Sequence, residues 1–299
     1  MKKIIVTLAF CAFAFAASAQ TLPSLLVNSD ASAMGAGGLS LWGCQTRPIE
    51  GYAASAALME GTASAGAGYG AWQPKAAGDK LLGAGAAVLL AEKFAVVLDY
   101  KSLIQPAYEV TGPTGSVSQV TPTFTPKESV IALGFGYRIM PGLSAALTLK
   151  SVSSVLSKDA KASVIGIDLS AVYSKDKLEA AFALCNIGGK VNYGGADYSQ
   201  PSLAKAAASY EIIEGLKAGA EAAYLFGGAF NMALGAEYCY GGLVAARAGY
   251  HLGSKDFGVP SFASVGLGVR FIGIELNAAY LLASDTLAGS MMFGLGYSF

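Results

Sequence analysis

From about residue 62 to the end, the chain alternates large apolar residues with small or polar ones. The last stretch is the clearest case. Met291, Phe293, Leu295, Tyr297 and Phe299 alternate with Ser290, Met292, Gly294, Gly296 and Ser298. Period-two alternation describes a strand whose two faces meet different surroundings. Applied along the chain with turn punctuation, it predicts fourteen strands. They fall near 62–72, 80–90, 93–103, 128–138, 142–154, 162–174, 177–186, 202–212, 215–226, 229–240, 242–252, 261–271, 272–283 and 288–299. Residues 62–299 then read as an antiparallel, up-and-down transmembrane β-barrel. An even strand number puts both barrel ends on the same side of a membrane.

The connections agree. Short turns follow even strands, as at Ala91-Glu92, Met140-Pro141-Gly142, Ser174-Lys175-Asp176, Ile213-Glu214, Gly241 and Ile272-Gly273. Longer loops (73–79, 104–127, 155–161, 187–201, 253–260 and 284–287) follow odd ones, and the short Gly227-Gly228 link breaks the trend. Short periplasmic turns with longer outer loops are the barrel rule. Aromatics cluster at strand ends: Tyr137, Tyr173, Tyr210, Tyr238, Tyr240, Phe271, Tyr297 and Phe299 at the turn end, with Tyr69, Trp72, Tyr100, Tyr224, Tyr250 and Tyr280 at the loop end. Two interfacial girdles account for both sets, although tyrosine favours strands in general. Tyr297 and the final Phe299 also resemble the signal read by the outer-membrane barrel assembly machinery.

Phasing each strand from its apolar face turns its charges inward. Basic residues Lys101, Arg138, Lys150, Lys205, Lys217, Arg247 and Arg270 then balance acidic residues Asp99, Asp168, Glu179, Glu211, Glu221, Glu237 and Glu275. The opposite phase would place each midplane Lys or Arg in hydrocarbon at roughly 2–4 kcal/mol. A strongly ion-selective pore would carry one dominant sign, so the balance predicts a lumen braced by ion pairs.

Composition narrows the class. The chain is 54% hydrophobic and 13% charged, with mean hydropathy +0.48, yet no window after residue 19 reads as a membrane helix. A closed barrel can place apolar side chains in lipid while pairing every strand edge. A soluble β-sandwich is the architectural alternative. Net charge is +0 and the pI is about 6.6, so there is no basic footprint for nucleic acid. Lys2, Lys3, the apolar run 4–17 and Ala17-Ser18-Ala19 read as a signal peptide over 1–19, cleaved near Ala19. The run falls short of the about 20 residues that a spanning anchor needs. Cys11 has no lipobox before it. Cys44, Cys185 and Cys239 are an odd set with no metal-type spacing, and His251 is the sole histidine; neither a disulfide framework nor a metal or other cofactor is implied.

Residues 20–61 do not alternate. The run from Asp30 through Met34, Gly35, Gly37 and Gly38 is rich in small residues, and Ala53 to Leu58 suits a short helix. The expectation is a plug or gate segment within or under the barrel, with Asp30, Met34, Gly35, Gly37 and Gly38 as its candidate residues. The alternative is a periplasmic leader with one extra strand. Inward Gly83, Gly85, Gly134, Gly136, Gly166, Gly219, Gly235, Gly266 and Gly268 leave room for a plug or ligand, or mark bends.

Several stretches together resemble the PorV/PorQ family, FadL-like fourteen-stranded outer-membrane barrels of Bacteroidetes and relatives. They are Leu22-Pro23-Ser24-Leu25 leading into the Asp30–Gly38 run, the loop from Glu109 to Glu128, Ile167-Asp168-Leu169-Ser170-Ala171-Val172-Tyr173, and Cys185-Asn186-Ile187-Gly188-Gly189-Lys190-Val191 followed by Pro201. The family's Asn-Pro-Ala signature appears only as Ala54-Ser55-Ala56-Ala57-Leu58, and Ser170 stands where the family has Gly. The resemblance implies bacterial outer-membrane localisation, no cofactor, no catalytic residues and a role accessory to type IX secretion. Its partners would be the lipid bilayer, exported cargo proteins and secretion-system subunits, with loops 104–127 and 187–201 as contact surfaces.

The alternative function is a passive FadL-like channel for hydrophobic small molecules, with a fatty-acid-like ligand held by inward Leu81, Leu89, Val97, Val172, Leu225, Leu243, Leu281 and Met292. An enzyme would need a base beside a nucleophile. His251, beside a polar loop, is the one imidazole available, so catalysis is disfavoured.

Overall fold

The computed structural model describes residues 22–42, 50–110, 123–254 and 258–299. The signal-peptide reading, Cys44 and the centre of loop 104–127 lie outside the described residues.

Fourteen long strands form one closed antiparallel barrel. They are β1 (Ala63–Trp72), β2 (Asp79–Leu90), β3 (Phe94–Ile104), β4 (Lys127–Met140), β5 (Leu143–Val155), β6 (Lys161–Lys175) and β7 (Leu178–Gly188). The second half is β8 (Leu203–Ile213), β9 (Leu216–Leu225), β10 (Ala229–Tyr240), β11 (Val244–Leu252), β12 (Phe262–Phe271), β13 (Ile274–Leu282) and β14 (Met291–Ser298). Each strand pairs with its sequence neighbours, and β14 closes on β1 in the register Ser64↔Ser298 through Ala71↔Met291. Phe299 is tied in as well: its amide donates to the Ala63 carbonyl and its carbonyl accepts from the Thr62 amide, both at 2.9 Å. No edge is left open, which is what lets a sheet sit in hydrocarbon.

Boundaries shift where turn chemistry outweighs alternation. β4 runs on to Met140 because a bulge between Arg138 and Met140 continues the ladder. β11 starts at Val244, not 242, because Gly241 and Gly242 adopt φ of 59° and 69° in the turn. Leu243 therefore lies in that turn, 51% exposed, and does not line the lumen. β14 starts at Met291, since 284–290 fold as a loop over buried Leu287.

The wall is apolar outside. On β12, Phe262 and Ser264 are buried within while Val265, Leu267 and Val269 face out. No helix among the described residues is long and apolar enough to cross a membrane; the strands carry the apolar surface instead. The turn-end aromatics Tyr137, Tyr210, Tyr238, Tyr240, Phe271, Tyr297 and Phe299 are exposed, as are Tyr69, Tyr224, Tyr250 and Tyr280 at the loop end. Trp72 departs from the girdle reading: it points inward and is 3% exposed.

Residues 22–42 and 50–61 pack against the inner face and form no strand. They contain 3-10 turns at Pro23–Leu25, Ser40–Trp42 and Ala53–Leu58 and one short helix, α1 (Ala31–Gly35). α1 packs on β11 to β14, and the Ala53–Leu58 turn packs on β2 to β6 across the lumen.

Candidate functional site

The inner face holds the N-terminal segment through small residues on one side and charges on the other. Asp30 caps α1, accepting from the Ala33 amide at 3.0 Å and the Ser32 hydroxyl at 2.5 Å, the arrangement that satisfies a helix's first free amides. Met34 and Gly35 are buried. The chain after α1 then runs backbone against backbone over β10 and β11. A Cβ on Gly249 would lie 2.2 Å from Ala36 C and Gly37 N. Gly37 donates to Ser264 Oγ at 2.9 Å, and Gly38 bonds back to the Ala33 carbonyl at 2.9 Å. Asp30, Met34, Gly35, Gly37 and Gly38 thus belong to one helix-and-turn unit, buried except at Gly38, which is half-buried. Gly235 and Gly266, flagged as inward small residues, face Ala36 and Gly35.

The flagged charges divide into two groups. Three sets brace the wall: Lys150–Asp168 at 2.7 Å, Arg247–Glu237 at 2.5 Å and Arg270–Glu275 at 2.9 Å, with Arg247 reaching Glu275 at 3.9 Å. Glu179 accepts from Ser209 at 3.1 Å.

The second group grips the segment. Lys101 pairs with Glu50 at 3.0 Å and donates to the Val27 carbonyl, two residues from fully buried Asp99. Arg138 donates to the Ala57 carbonyl at 2.8 Å. Lys205 donates to Ser40 Oγ and the Glu50 carbonyl and lies 4.4 Å from the Tyr52 ring centroid. Glu221 accepts from the Ser40 amide and hydroxyl and from the Tyr52 hydroxyl. Burial, with Glu221 as the second cause, pushes the Tyr52 phenol well above its usual range, so it stays a donor. Purely barrel-to-barrel bracing is therefore half the picture.

Two cavities flank the segment. The turn-end vestibule measures about 790 Å³ and is charged, lined by Glu179, Lys217, Glu237, Arg247, Arg270 and Glu275 among others. The loop-end cavity is smaller, about 90 Å³. Leu25, Leu26, Val27, Met34, Trp72, Leu203, Val259 and Phe262 supply apolar surface there. Lys150, Asn186, Lys205, Glu50, Glu221, Asn231 and His251 supply polar groups. Of the apolar residues flagged from sequence, Leu81, Val97, Val172, Leu225, Leu281 and Met292 are buried within the barrel, but none of them lines this cavity.

His251 lies at the loop end of β11, as the strand alternation placed it, and it points inward at 7% exposure. Its ring stacks on Phe262 at 4.9 Å and 9°, Nδ1 lies 3.3 Å from the Gly37 carbonyl oxygen and Nε2 lies 3.5 Å from Asn231 Nδ2. Neither of these polar contacts is to a nucleophilic side chain, and no group of three or more metal-ligand side chains occurs among the described residues. Cys185 and Cys239 are free thiols. Sequence reasoning missed Glu50, Tyr52, Asn231 and Phe262; the available signal was the inward parity of Asn231 and Phe262 on their strands.

No family model matches the chain, and no curated protein does. Solved structures do. The toluene transporter TbuX of Ralstonia pickettii matches with a TM-score of 0.59 at 10% identity, covering 92% of this chain and 99% of that one. The P. putida toluene transporter TodX matches with 0.59 at 12% identity, over 92% and 99%. A Pseudomonas aeruginosa FadL homologue matches with 0.51 at 14% identity, over 91% and 96%. At these identities the likeness is one of fold.

Proposed function

We propose that this protein is a bacterial outer-membrane channel that admits hydrophobic small molecules passively. The observation that carries the reading is the amphipathic cavity of about 90 Å³ at the loop end, inside a closed barrel with an apolar outer face. Apolar walls combined with convergent polar groups that fix orientation are features of small-molecule sites. The fold likeness to two toluene transporters supports the same reading. In it, the N-terminal segment is the plug: residues 22–42 and 50–61 lie between the outer cavity and the charged vestibule, so a ligand must pass beside them. Tyr297 and Phe299 serve as the assembly signal, and residues 1–19 as the export signal. This reading is preferred to the type IX accessory role implied by the PorV/PorQ resemblance.

The test is uptake of radiolabelled toluene by intact Gram-negative cells carrying wild-type protein or Ala233→Trp, which fills the cavity at a 3% exposed lining residue. Wild type is expected to raise uptake and the filled variant to return it to background. Equal uptake with and without the protein would overturn the channel; capture of exported cargo from the same membranes would restore the secretion role.

A further inference from the structure

Resting on the channel reading, we infer that His251 and Asn231 form the polar anchor of the outer cavity. They select a compact, uncharged molecule bearing one hydrogen-bonding hydroxyl, of the phenol type, over the plain hydrocarbon of the same shape.

The Gly37 carbonyl can only accept, so Nδ1 of His251, 3.3 Å away, carries the proton. The neutral ring then presents Nε2 as an acceptor. Its partner, Asn231 Nδ2, stands at 3.5 Å, beyond the usual 2.7–3.2 Å for a nitrogen donor. The pair is held apart by its register: His251 lies on β11 opposite Ala233 of β10, two residues from Asn231. A ligand hydroxyl set beside the pair, off the line joining the two nitrogens, would donate to Nε2 and accept from Nδ2, making two bonds of ordinary length in place of one long one.

The rest of the cavity limits what carries that hydroxyl. The parallel His251–Phe262 stack and Trp72 provide flat apolar surfaces. The cavity, about 90 Å³, has no room for a long acyl chain. Lys150, Lys205, Glu50 and Glu221 all line the cavity, and their charges balance. Lys150 is already paired with Asp168, while Lys205 is turned to Ser40, the Glu50 carbonyl and Tyr52. An anionic headgroup gains no net attraction there.

Phenol and toluene, which differ by hydroxyl for methyl, are the probes. Binding of each to the full-length protein in nanodiscs is measured for wild type, His251→Phe and Asn231→Leu. The readout is the phenol-to-toluene affinity ratio, in which partition into lipid cancels between variants. The ratio is expected to fall about tenfold in each variant, the scale of a single good hydrogen bond. Asn231→Leu leaves the His251–Gly37 contact in place, so the test survives if His251→Phe fails to fold. Ala233→Trp is expected to abolish binding of both, placing the site in this cavity. An unchanged ratio with both probes bound, or toluene bound without phenol, overturns the anchor and leaves the channel standing. Binding of neither, together with no toluene uptake by cells, overturns the channel itself.

Discussion

Lys101 of β3 and Glu50 of the N-terminal segment form an ion pair at 3.0 Å with side chains 1% and 2% exposed. The same ammonium donates to the Val27 carbonyl, so one wall lysine fastens the segment at two places. Removing one member of such a pair strands a buried charge, at about 3–5 kcal/mol, whereas replacing both with apolar residues of similar size is close to neutral. Glu50→Met should therefore lower resistance to urea unfolding in detergent, and Lys101→Met/Glu50→Met should recover most of it. A double variant as weak as the single one would show that the pair does not hold the segment.

The seat of α1 depends on the absence of a side chain. Gly249→Val would place a carbon 2.2 Å from the backbone of Ala36 and Gly37, and backbone cannot yield as a flexible side chain does. The barrel should still assemble, because Val is at home in strands, but the segment should be displaced. Proteolysis within residues 22–61 and single-channel conductance should both rise. Gly195→Ala, with nothing within 4 Å of the added carbon, should change neither.

Leu98 lies at the middle of β3 on the outer face, 56% exposed. If that face meets lipid, Leu98→Arg costs roughly 2–4 kcal/mol and should cut folding yield into bilayers sharply while leaving residual folding in detergent. Equal yields in both media would remove the membrane assignment.

The chain ends on an outward aromatic pair, Tyr297 and Phe299, with ring centroids 4.5 Å apart and edge to face. Deleting Phe299 also removes its backbone bonds to Thr62 and Ala63, so an effect on strand closure would be mixed with any effect of the aromatic ring on assembly. Phe299→Ala keeps those bonds and separates the two effects. It should slow assembly in cells while leaving the purified barrel's resistance to heat in SDS nearly unchanged.

Much of the barrel could be read along the chain because strand alternation is local. On β12, inward Phe262 and Ser264 alternate with outward Val265, Leu267 and Val269, and the number of strands follows from counting such runs. The same parity sent Asp168, Arg247 and Glu275 inward. Errors arose where a turn overrode parity, as at Leu243 beside two positive-φ glycines. They also arose where an aromatic could serve either a girdle or a cavity, as with Trp72.

By itself, the sequence determined the closed fourteen-strand wall, its apolar exterior and its inward charges. Each of these rests on spacing between near neighbours. Which charge meets which partner was decided only by the tertiary structure. Glu50 and Lys101 are 51 residues apart, Ser40 and Glu221 are 181 apart, and Gly37 and His251 are 214 apart. Residues 22–42 and 50–61 carry no period that points at the strands they touch. Their place follows from filling the space that small inward residues leave on β10 to β12. The outer cavity is what that filling leaves open, so its shape and its His251–Asn231 corner exist only once the segment is seated.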